Sequence, residues 1–284
     1  MQLNKITLQK FFLSICLILP TILISGEYSG QSCTSIIPGY IRICKKAVKN
    51  KHCFQTFRSF PEYSGVVECN YAHNEFDSYL LTNGSSQLLD NLEFIRKLDT
   101  IGNPFIVENK NMGQFSGTTL RYIIVANQIL NFFTLPENPK IAEIGAGFGG
   151  ECFVLSTCIP FSNYYIFDLN EVTPLIDKVL KTLSVNNAQM MNPLSELPDE
   201  NIDLLISNYA FSECDLTTQL DYFHRVLKKA DRGYILFNDT IDQFDTLSLD
   251  SFVQLLENEG MNPKVLEEPV STHPKNVLIV WDRT

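Results

Sequence analysis

Glycine occupies four of the six positions from 145 to 150, in a loop that follows the short apolar segment Lys140–Ile144. Glycine lets a backbone turn tightly and lets a ligand approach the main chain closely. The residues after the loop, Gly150–Cys158, have the pattern of a helix. A strand, a glycine-rich turn and a helix begin the βαβ units that bind nucleosides, although such turns also occur without a ligand. The loop therefore predicts an α/β fold with a candidate ligand site.

The sequence from position 135 onward alternates between strand-like and helix-like segments. The predicted strands are Lys140–Ile144, Tyr164–Phe167, Ala188–Met191, Ile202–Ser207, Gly233–Phe237, Pro263–Leu266 and Asn276–Trp281. The predicted helices are Gly150–Cys158, Val172–Leu183, Leu216–Lys229 and Leu249–Glu259. Such alternation predicts a doubly wound, Rossmann-like α/β fold with a mostly parallel seven-stranded sheet. No helix separates the last two strands, so we expect them to pair antiparallel at the edge of the sheet.

The residues before position 135 are expected to form a smaller, mainly helical region. Apolar side chains recur at helical spacing in Gln87–Leu98 and again in Thr118–Phe133,. The chain is therefore divided into three parts. Residues 1–26 are a signal peptide or membrane anchor, residues 27–134 are a helical region or lid, and residues 135–284 are the α/β domain.

Acidic and amide residues accompany the glycine loop at the expected carboxyl ends of the strands. Asp168 ends the strand after the loop, 23 residues beyond Gly145, where a carboxylate can hold both hydroxyls of a ribose,. The predicted cofactor-binding residues, which follow or end the first four strands of the sheet, are Glu143, Gly145, Gly147, Gly149, Asp168, Leu169, Asn192 and Asn208.

Two cofactors are compatible with this loop. Gly145, Gly147 and Gly150 match the dinucleotide pattern GxGxxG, which favours NAD,. Three other features favour S-adenosylmethionine (SAM). They are the acid Glu143 before the loop, the long segment that precedes the loop, and the pair of strands without a helical crossover at the C-terminus.

Several segments resemble the sugar O-methyltransferases of the class I SAM-dependent superfamily. They span about residues 95–240 and are Leu98–Pro104 (LDTIGNP), Phe115–Tyr122 (FSGTTLRY), Ala142–Gly150 (AEIGAGFGG), Ile166–Val172 (IFDLNEV) and Asp203–Glu213 (DLLISNYAFSE). The resemblance implies a class I fold, SAM as the cofactor, and methyl transfer to a hydroxyl of a sugar or glycan. It also implies that the helix carrying Arg121 and Tyr122 covers the cofactor. Many class I enzymes have an acid after the third strand, where this chain has Asn192.

Polar residues beyond the later strands are candidates for the chemistry of methyl transfer. Glu213 is the first choice for a base that takes the proton of an acceptor hydroxyl, and His273 is the second,. Asp239, together with Asn238, could ligate a divalent metal ion, although such residues more often form turns,. Two other functions stay open, namely an NAD-dependent oxidoreductase and a non-catalytic, methyltransferase-like binding protein.

The net charge of the chain indicates which classes of partner it can bind. With 22 basic and 32 acidic residues, the net charge is −10. A chain with this balance lacks the basic surface that nucleic acids require. We therefore expect a small-molecule or glycan acceptor and no nucleic acid.

The first 26 residues indicate where in the cell the protein is located. Lys5 and Lys10 precede an apolar run. The apolar composition of residues 11–25 predicts that this segment associates with a membrane,. Basic residues between positions 42 and 51 favour a catalytic domain on the cytosolic side,. The alternative is a cleaved signal peptide and a secreted domain, in which Cys33, Cys44, Cys53 and Cys69 could form disulfides,.

Overall fold

The computed structural model describes residues 32, 35, 37–193, 195–198, 201–238 and 245–283. The segment 1–26, with its predicted membrane-associating run at 11–25, lies outside these residues, as do Cys33 and Asp239. Among the helices of the described ranges, none is long and apolar enough to cross a membrane. Cys44, Cys53 and Cys69 are buried free thiols.

A seven-stranded sheet forms the centre of the molecule. The strands of the chain are, in order, β1 (Val107–Asn109), β2 (Gly113–Phe115), β3 (Lys140–Ile144), β4 (Asn163–Phe167), β5 (Ala188–Met191), β6 (Leu204–Asn208), β7 (Arg232–Asn238), β8 (Lys264–Glu267) and β9 (Asn276–Asp282). β1 and β2 form a separate hairpin, and the others are ordered β5-β4-β3-β6-β7-β9-β8. Strands β3 to β7 are parallel, and β9 is antiparallel to both of its neighbours. The predicted Rossmann-like sheet with its antiparallel terminal strand is confirmed.

Helices form the N-terminal region and connect the strands. They are α1 (Pro38–Lys49), α2 (Lys51–Thr56), α3 (Pro61–Val67), α4 (His73–Asn83), α5 (Ser86–Leu89), α6 (Leu92–Ile95), α7 (Gly117–Phe132), α8 (Gly150–Ser156), α9 (Thr173–Thr182), α10 (Leu216–Arg225) and α11 (Leu249–Asn258). The bounds of α7, α8, α9 and α11 lie within two residues of the predicted ones. α10 ends at Arg225, earlier than predicted, because Val226 leaves the helical region (φ −122°, ψ −57°) and a 3₁₀ turn follows.

The predicted continuous helix Gln87–Leu98 is wrong. The chain forms α5, a break, α6 and then a 3₁₀ turn at Arg96–Thr100. At the break, the Asn91 side-chain amide donates to the Gln87 carbonyl oxygen at 2.8 Å, so a side chain competes with the helical backbone for this acceptor,. Leu88, Ile95 and Leu98 are nevertheless fully buried. The apolar spacing therefore predicted which side chains enter the core, but not the helix itself.

Alternate residues of the central strands pack into two different apolar cores. Ile141 and Ile166 belong to a core that includes α7, α8, α9 and the N-terminal helices. Ala142 and Phe167 belong to the core on the opposite face, beneath α10 and α11. This period of two is expected of strands that are buried on both faces. The N-terminal helices thus share one core with a face of the sheet.

Candidate active site

The glycine loop lies at the carboxyl end of β3, where the strand order reverses. The strands after β3 continue on one side through β4 and β5, and on the other side through β6 and β7. In open α/β sheets, ligands bind in the crevice outside the carboxyl ends of the strands at such a switch point. Gly145, Gly147 and Gly149 all have positive φ, of 75°, 60° and 87°. Residues with a Cβ seldom adopt this conformation, so the loop requires its glycines.

Neighbouring segments also lie too close to the loop for larger residues. A Cβ at Gly145 would lie 2.0 Å from the Ala210 Cβ, and a Cβ at Gly147 would lie 3.1 Å from the Val67 side chain. A Cβ at Gly149 would meet side chains of α9 at 3.1 Å. The first two glycines therefore face segments that enclose the crevice, whereas the third allows the loop to pack on α9.

Asp168 is held in a fixed orientation by backbone donors. Its Oδ2 accepts from the N–H of Ala146 at 3.0 Å, and its Oδ1 accepts from the N–H of Leu169 at 2.7 Å. Burial raises the pKa of the Asp168 carboxyl to about 6, and the backbone hydrogen bonds oppose that rise,. Because each carboxylate oxygen can accept more than one hydrogen bond, both can still accept from a pair of hydroxyls.

Helix α1 covers the Asp168 side of the crevice. Burial, and to a smaller extent the neighbouring Cys44 and Asp168, raise the pKa of Tyr40 on this helix. The Lys178 ammonium of α9 donates to two carbonyl oxygens in the last turn of α1, each at 2.9 Å. A cation at the C-terminal end of a helix is favourable, and it fixes α1 against the sheet domain.

Leu169 follows Asp168 after β4, and Asn192 follows the neighbouring strand β5, but their environments differ. Leu169 lines a groove between α1 and the residues after β4, together with Pro38, Ile41, Arg42, Lys45 and Glu171. Asn192 is exposed after β5, and its backbone N–H donates to the Ser195 hydroxyl oxygen at 3.2 Å. The candidate adenine contact is thus on the outer side of the site.

Glu143 is buried within the sheet domain. Only 1% of the residue is exposed, and its Oε2 accepts from the Tyr164 hydroxyl of β4 at 2.9 Å. Burial raises the pKa of the Glu143 carboxyl to about 8, although the hydrogen bond from Tyr164 opposes the rise,. The carboxyl is therefore mostly protonated at neutral pH.

Three buried polar atoms near the switch point have no hydrogen-bond partner within the described residues: Arg121 Nε, Glu151 Oε1 and Asn208 Oδ1. Glu151 lies in the first turn of α8, and Asn208 ends β6. The Asn208 amide nitrogen donates to Glu151 Oε2 at 3.5 Å. Burial raises the pKa of Glu151 well above its ordinary value, and Arg121 opposes this. Buried polar atoms without partners are costly. They offer a ligand a cationic donor at Arg121, an acceptor at Asn208, and a carboxyl at Glu151 that becomes an acceptor when a ligand cation favours its ionised form.

The Arg121 guanidinium is enclosed by a backbone carbonyl and aromatic rings. Its Nη2 donates to the Val67 carbonyl oxygen at 3.3 Å, and its Cζ lies 5.9 Å and 5.7 Å from the ring centroids of Tyr122 and Tyr209. The described carboxylates all lie beyond ion-pair distance from it. A guanidinium with unused donors is well suited to bind a carboxylate.

A buried ionic network fixes α7, and with it Arg121, over the glycine loop. Arg58 donates to Glu68 at 2.6 and 3.0 Å and to Asp99 at 3.3 Å. Asp99 accepts from Ser116, the residue that caps α7. The Arg58 guanidinium also lies 4.3 Å from the ring centroid of Phe148 in the glycine loop. The LDTIGNP and FSGTTLRY segments therefore meet at one network, and losing one partner of such a buried pair costs about 3–5 kcal/mol.

The SNYAFSE segment after β6 forms a tight loop beside the glycine loop. The Ser207 hydroxyl donates to the Ile144 carbonyl oxygen at 3.0 Å and accepts from the Phe211 N–H at 3.1 Å. Tyr209 has a φ of 71°, a strained conformation for a bulky side chain,. Its hydroxyl donates to the carboxylate of Glu268, in the loop between β8 and β9. Strain of this kind is typical of functional sites, and here it directs Tyr209 toward Arg121 and Glu268.

The two candidate bases have different surroundings. Burial raises the pKa of Glu213, and the Arg121 guanidinium opposes the rise. A carboxylate with a raised pKa is a stronger base than an exposed one. His273 is exposed in the β8–β9 loop, where its Nδ1 accepts from the Lys275 N–H at 3.3 Å. Of the two candidates, Glu213 is the one whose carboxyl interacts electrostatically with Arg121.

The metal ligands suggested by the sequence are Asn238 and Asp239. In the part of the chain that the structure describes, no group of three His, Cys, Asp or Glu side chains could hold a metal ion. Asn238 ends β7, and its backbone N–H donates to the Ser212 hydroxyl oxygen at 2.9 Å. Asp239 lies outside the described residues.

Two residues of the site were not identified from the sequence. Glu151 could have been found from the sequence, because it directly follows the glycine loop in the first turn of α8. Glu268 has no local indication, since its partner Tyr209 is 59 residues away.

No protein-family model and no curated protein sequence matches the chain. Solved structures that resemble it include a SAM-dependent methyltransferase from Aquifex aeolicus, 20% identical, covering 55% of this chain and 87% of its own, with a TM-score of 0.43. An O-methyltransferase family protein from Burkholderia thailandensis is 9% identical, covering 59% and 60%, with a TM-score of 0.43. An O-methyltransferase of neocarzinostatin biosynthesis, solved with SAM, is 11% identical, covering 58% and 57%, with a TM-score of 0.41. This chain thus spans about three fifths of the last two proteins, and its fold rests on its own strand order.

Proposed function

We propose that this protein is a SAM-dependent O-methyltransferase that transfers a methyl group to a hydroxyl of a small-molecule acceptor. The observation that carries the proposal is the set of unsatisfied buried atoms at the switch point, Arg121 Nε, Glu151 Oε1 and Asn208 Oδ1. SAM ends in an α-amino acid, whose carboxylate and ammonium are complementary to one cationic donor and two acceptors.

The opposite side of the crevice fits the nucleoside of the same cofactor. Asp168 presents both carboxylate oxygens, held by backbone N–H groups, at the end of the strand after the glycine loop. A ribose has two adjacent hydroxyls that can donate to such a carboxylate. Leu169 and Asn192 extend this side toward the position of an adenine ring.

Glu213 has the position and basicity for the acceptor's proton. When bound, SAM would supply a methyl group on a positively charged sulfur, which an oxygen nucleophile can attack. In this proposal the Glu213 carboxylate takes the proton of the acceptor hydroxyl, and its pKa, raised by burial, suits it to that role,. Tyr209, whose hydroxyl is fixed by Glu268, is proposed to hold the acceptor in line, while Arg121, 5.7 Å from the Tyr209 ring, pairs with the carboxylate of the cofactor,.

A sugar or glycan is the proposed source of the hydroxyl. The proposal rests on the sequence resemblance in the segments FSGTTLRY and DLLISNYAFSE. The hydroxyl and carboxylate groups of Tyr209, Glu213 and Glu268 near this end of the crevice suit a polar, hydroxyl-rich acceptor,.

NAD is disfavoured as the ligand because it lacks an amino-acid end. It would occupy the glycine loop but leave Arg121, Glu151 and Asn208 without partners. We expect SAM to raise the thermal stability of the full chain and NAD to leave it unchanged. A ligand at 100 times its dissociation constant adds about 2.7 kcal/mol to the free energy of unfolding. A shift with NAD alone, or no shift with SAM, would exclude the proposed cofactor.

Catalysis needs a separate measurement. We expect transfer of a labelled methyl group from SAM to hydroxyl acceptors when cell glycans and extracts are screened. Stable SAM binding without transfer to any acceptor would instead support the non-catalytic binding protein.

A further inference from the structure

Helix α1 presents one apolar face and one strongly basic face. Its apolar face buries Tyr40, Ile43, Cys44 and Ala47 against the rest of the molecule. The opposite, exposed side carries the basic residues Arg42, Lys45, Lys46 and Lys49, and Lys51 follows at the start of α2. Positions 38–52 contain no acidic residue. We call the five exposed cations at 42, 45, 46, 49 and 51 the basic face.

The basic face has few internal partners. Arg42 lies 3.1 Å from Glu62 and Lys45 lies 3.6 Å from Glu171, both in exposed pairs. Such pairs contribute little and do not prevent binding of an external anion. Lys46, Lys49 and Lys51 make no ion pair with any residue of the described ranges. In a chain with a net charge of −10, this concentration of positive charge on one side is a marked asymmetry.

We propose that the basic face binds the anionic headgroups of a phospholipid bilayer. The chain before α1 contains the apolar run Phe11–Ile24, and 13 residues separate that run from Pro38. A segment of that length spans at most about 45 Å, so the apolar run and the basic face are close enough to engage the same surface. Basic clusters on an amphipathic helix next to an apolar membrane segment are attracted to anionic leaflets. This inference is independent of methyl transfer.

Membrane binding on this face also has a geometric consequence. Arg42 and Lys45 line the groove that contains Leu169, the residue after Asp168. The bilayer would therefore lie next to the nucleoside side of the crevice. Between the apolar run and α1, the chain also contacts the Glu213 side, where Ser32 forms an isolated antiparallel bridge with Cys214.

The test compares vesicle binding of the full chain with that of two charge-reversed variants. The first variant carries Lys46→Glu, Lys49→Glu and Lys51→Glu. The control carries Lys110→Glu, Lys264→Glu and Lys275→Glu, which are also exposed and change the net charge equally. Binding is measured on phosphatidylcholine vesicles with and without phosphatidylserine, and melting temperatures establish that each variant is folded.

We expect phosphatidylserine to strengthen vesicle binding of the unaltered chain. The affinity that it adds should disappear at high salt. Each cation near an anionic surface contributes roughly fivefold. Loss of three cations should therefore weaken binding of the first variant to the anionic vesicles about 100-fold, and the control should keep the affinity that phosphatidylserine adds. Equal binding to both vesicle compositions would overturn the proposal, as would equal losses in the two variants. Binding of single-stranded RNA with the same lysine dependence, without a phosphatidylserine effect, would assign the face to nucleic acid instead.

Discussion

The two sides of the crevice are built in different ways. On the β4 side, Asp168 already has a backbone donor on each carboxylate oxygen, one from Ala146 in the glycine loop and one from the adjacent Leu169. On the β6 side, Arg121, Glu151 and Asn208 come from three separate elements and retain buried atoms without partners among the described residues. The Asp168 carboxylate is thus held by the protein alone, whereas the polar atoms of the second side lack partners that a ligand could supply.

This difference indicates which side selects the ligand. A preorganised carboxylate such as that of Asp168 accepts any ribose, so it does not distinguish one nucleoside cofactor from another. Buried polar atoms that lack partners reject ligands that cannot satisfy them, because each unsatisfied group carries a free-energy penalty. The β6 side is therefore expected to determine specificity for a ligand with an amino-acid end.

The largest expected effect comes from adding a side chain to the glycine loop, which contributes to both sides of the crevice. Gly147→Val should abolish binding of S-adenosylhomocysteine, because φ is 60° and the new side chain would lie against Val67,. The matched control is Gly260→Val, where φ is 75° but nothing lies within 4 Å. Calorimetric titration and thermal unfolding of both variants separate loss of the site from backbone strain. Normal affinity in a folded Gly147→Val variant would exclude the loop as the binding site.

The next effect is on turnover rather than on affinity. Glu213→Gln should lower the rate of methyl transfer about 10²–10⁴-fold, since an amide cannot accept the acceptor's proton. Its affinity for S-adenosylhomocysteine should stay unchanged. Glu257→Gln, at an exposed position on α11, serves as the control. An unaltered rate in the Glu213 variant, with an identified acceptor, would leave this carboxyl without a catalytic role.

A smaller effect concerns stability and pH. The pKa of Glu143 is raised by burial to about 8, so the folded protein retains a proton that the unfolded chain loses near its ordinary pKa,. Stability should therefore fall as pH rises from about 4.5 to about 8, by a few kcal/mol from this group. Glu143→Gln keeps an acceptor for Tyr164 and should reduce that slope.

Urea unfolding at several pH values checks this effect, with Glu108→Gln at an exposed position of β1 as the control. The slope should not vanish completely, because burial raises the pKa of Asp168 and Glu151 in the same direction. Identical pH profiles for the Glu143 variant and the unaltered chain would show that its carboxyl is ionised in the folded state.

Local sequence patterns indicate more residues of the β4 side than of the β6 side, for a physical reason. The turn conformation of the glycine loop and the position of Asp168 depend on neighbouring residues and on strand order, both of which leave local patterns. Glu268, by contrast, reaches its partner Tyr209 across 59 residues of sequence. The buried network of Arg58 likewise joins residues that are 10 and 41 positions apart.

The N-terminal helices show the same limit. Apolar spacing identified Leu88, Ile95 and Leu98 as core residues but predicted one helix where the chain breaks at Asn91. Helix α1 was not predicted individually, although Pro38 at its start and the apolar spacing of Tyr40, Ile43, Cys44 and Ala47 form a local helical pattern,. At Asn91, by contrast, side-chain competition for the backbone overrides the apolar spacing,.

The central claim is that the β6 side recognises the amino-acid end of the ligand and the β4 side its ribose. Two ligands test it: S-adenosylhomocysteine, and methylthioadenosine, which has the same nucleoside but no amino-acid end. The affinities of both are measured by calorimetry for the unaltered chain, Arg121→Met and Asp168→Ala. Arg121→Met should weaken S-adenosylhomocysteine about 10–100-fold through a lost charge-assisted hydrogen bond, and leave methylthioadenosine unchanged. Asp168→Ala should weaken both ligands by the same factor, whereas equal effects of Arg121→Met on the two ligands would contradict the account.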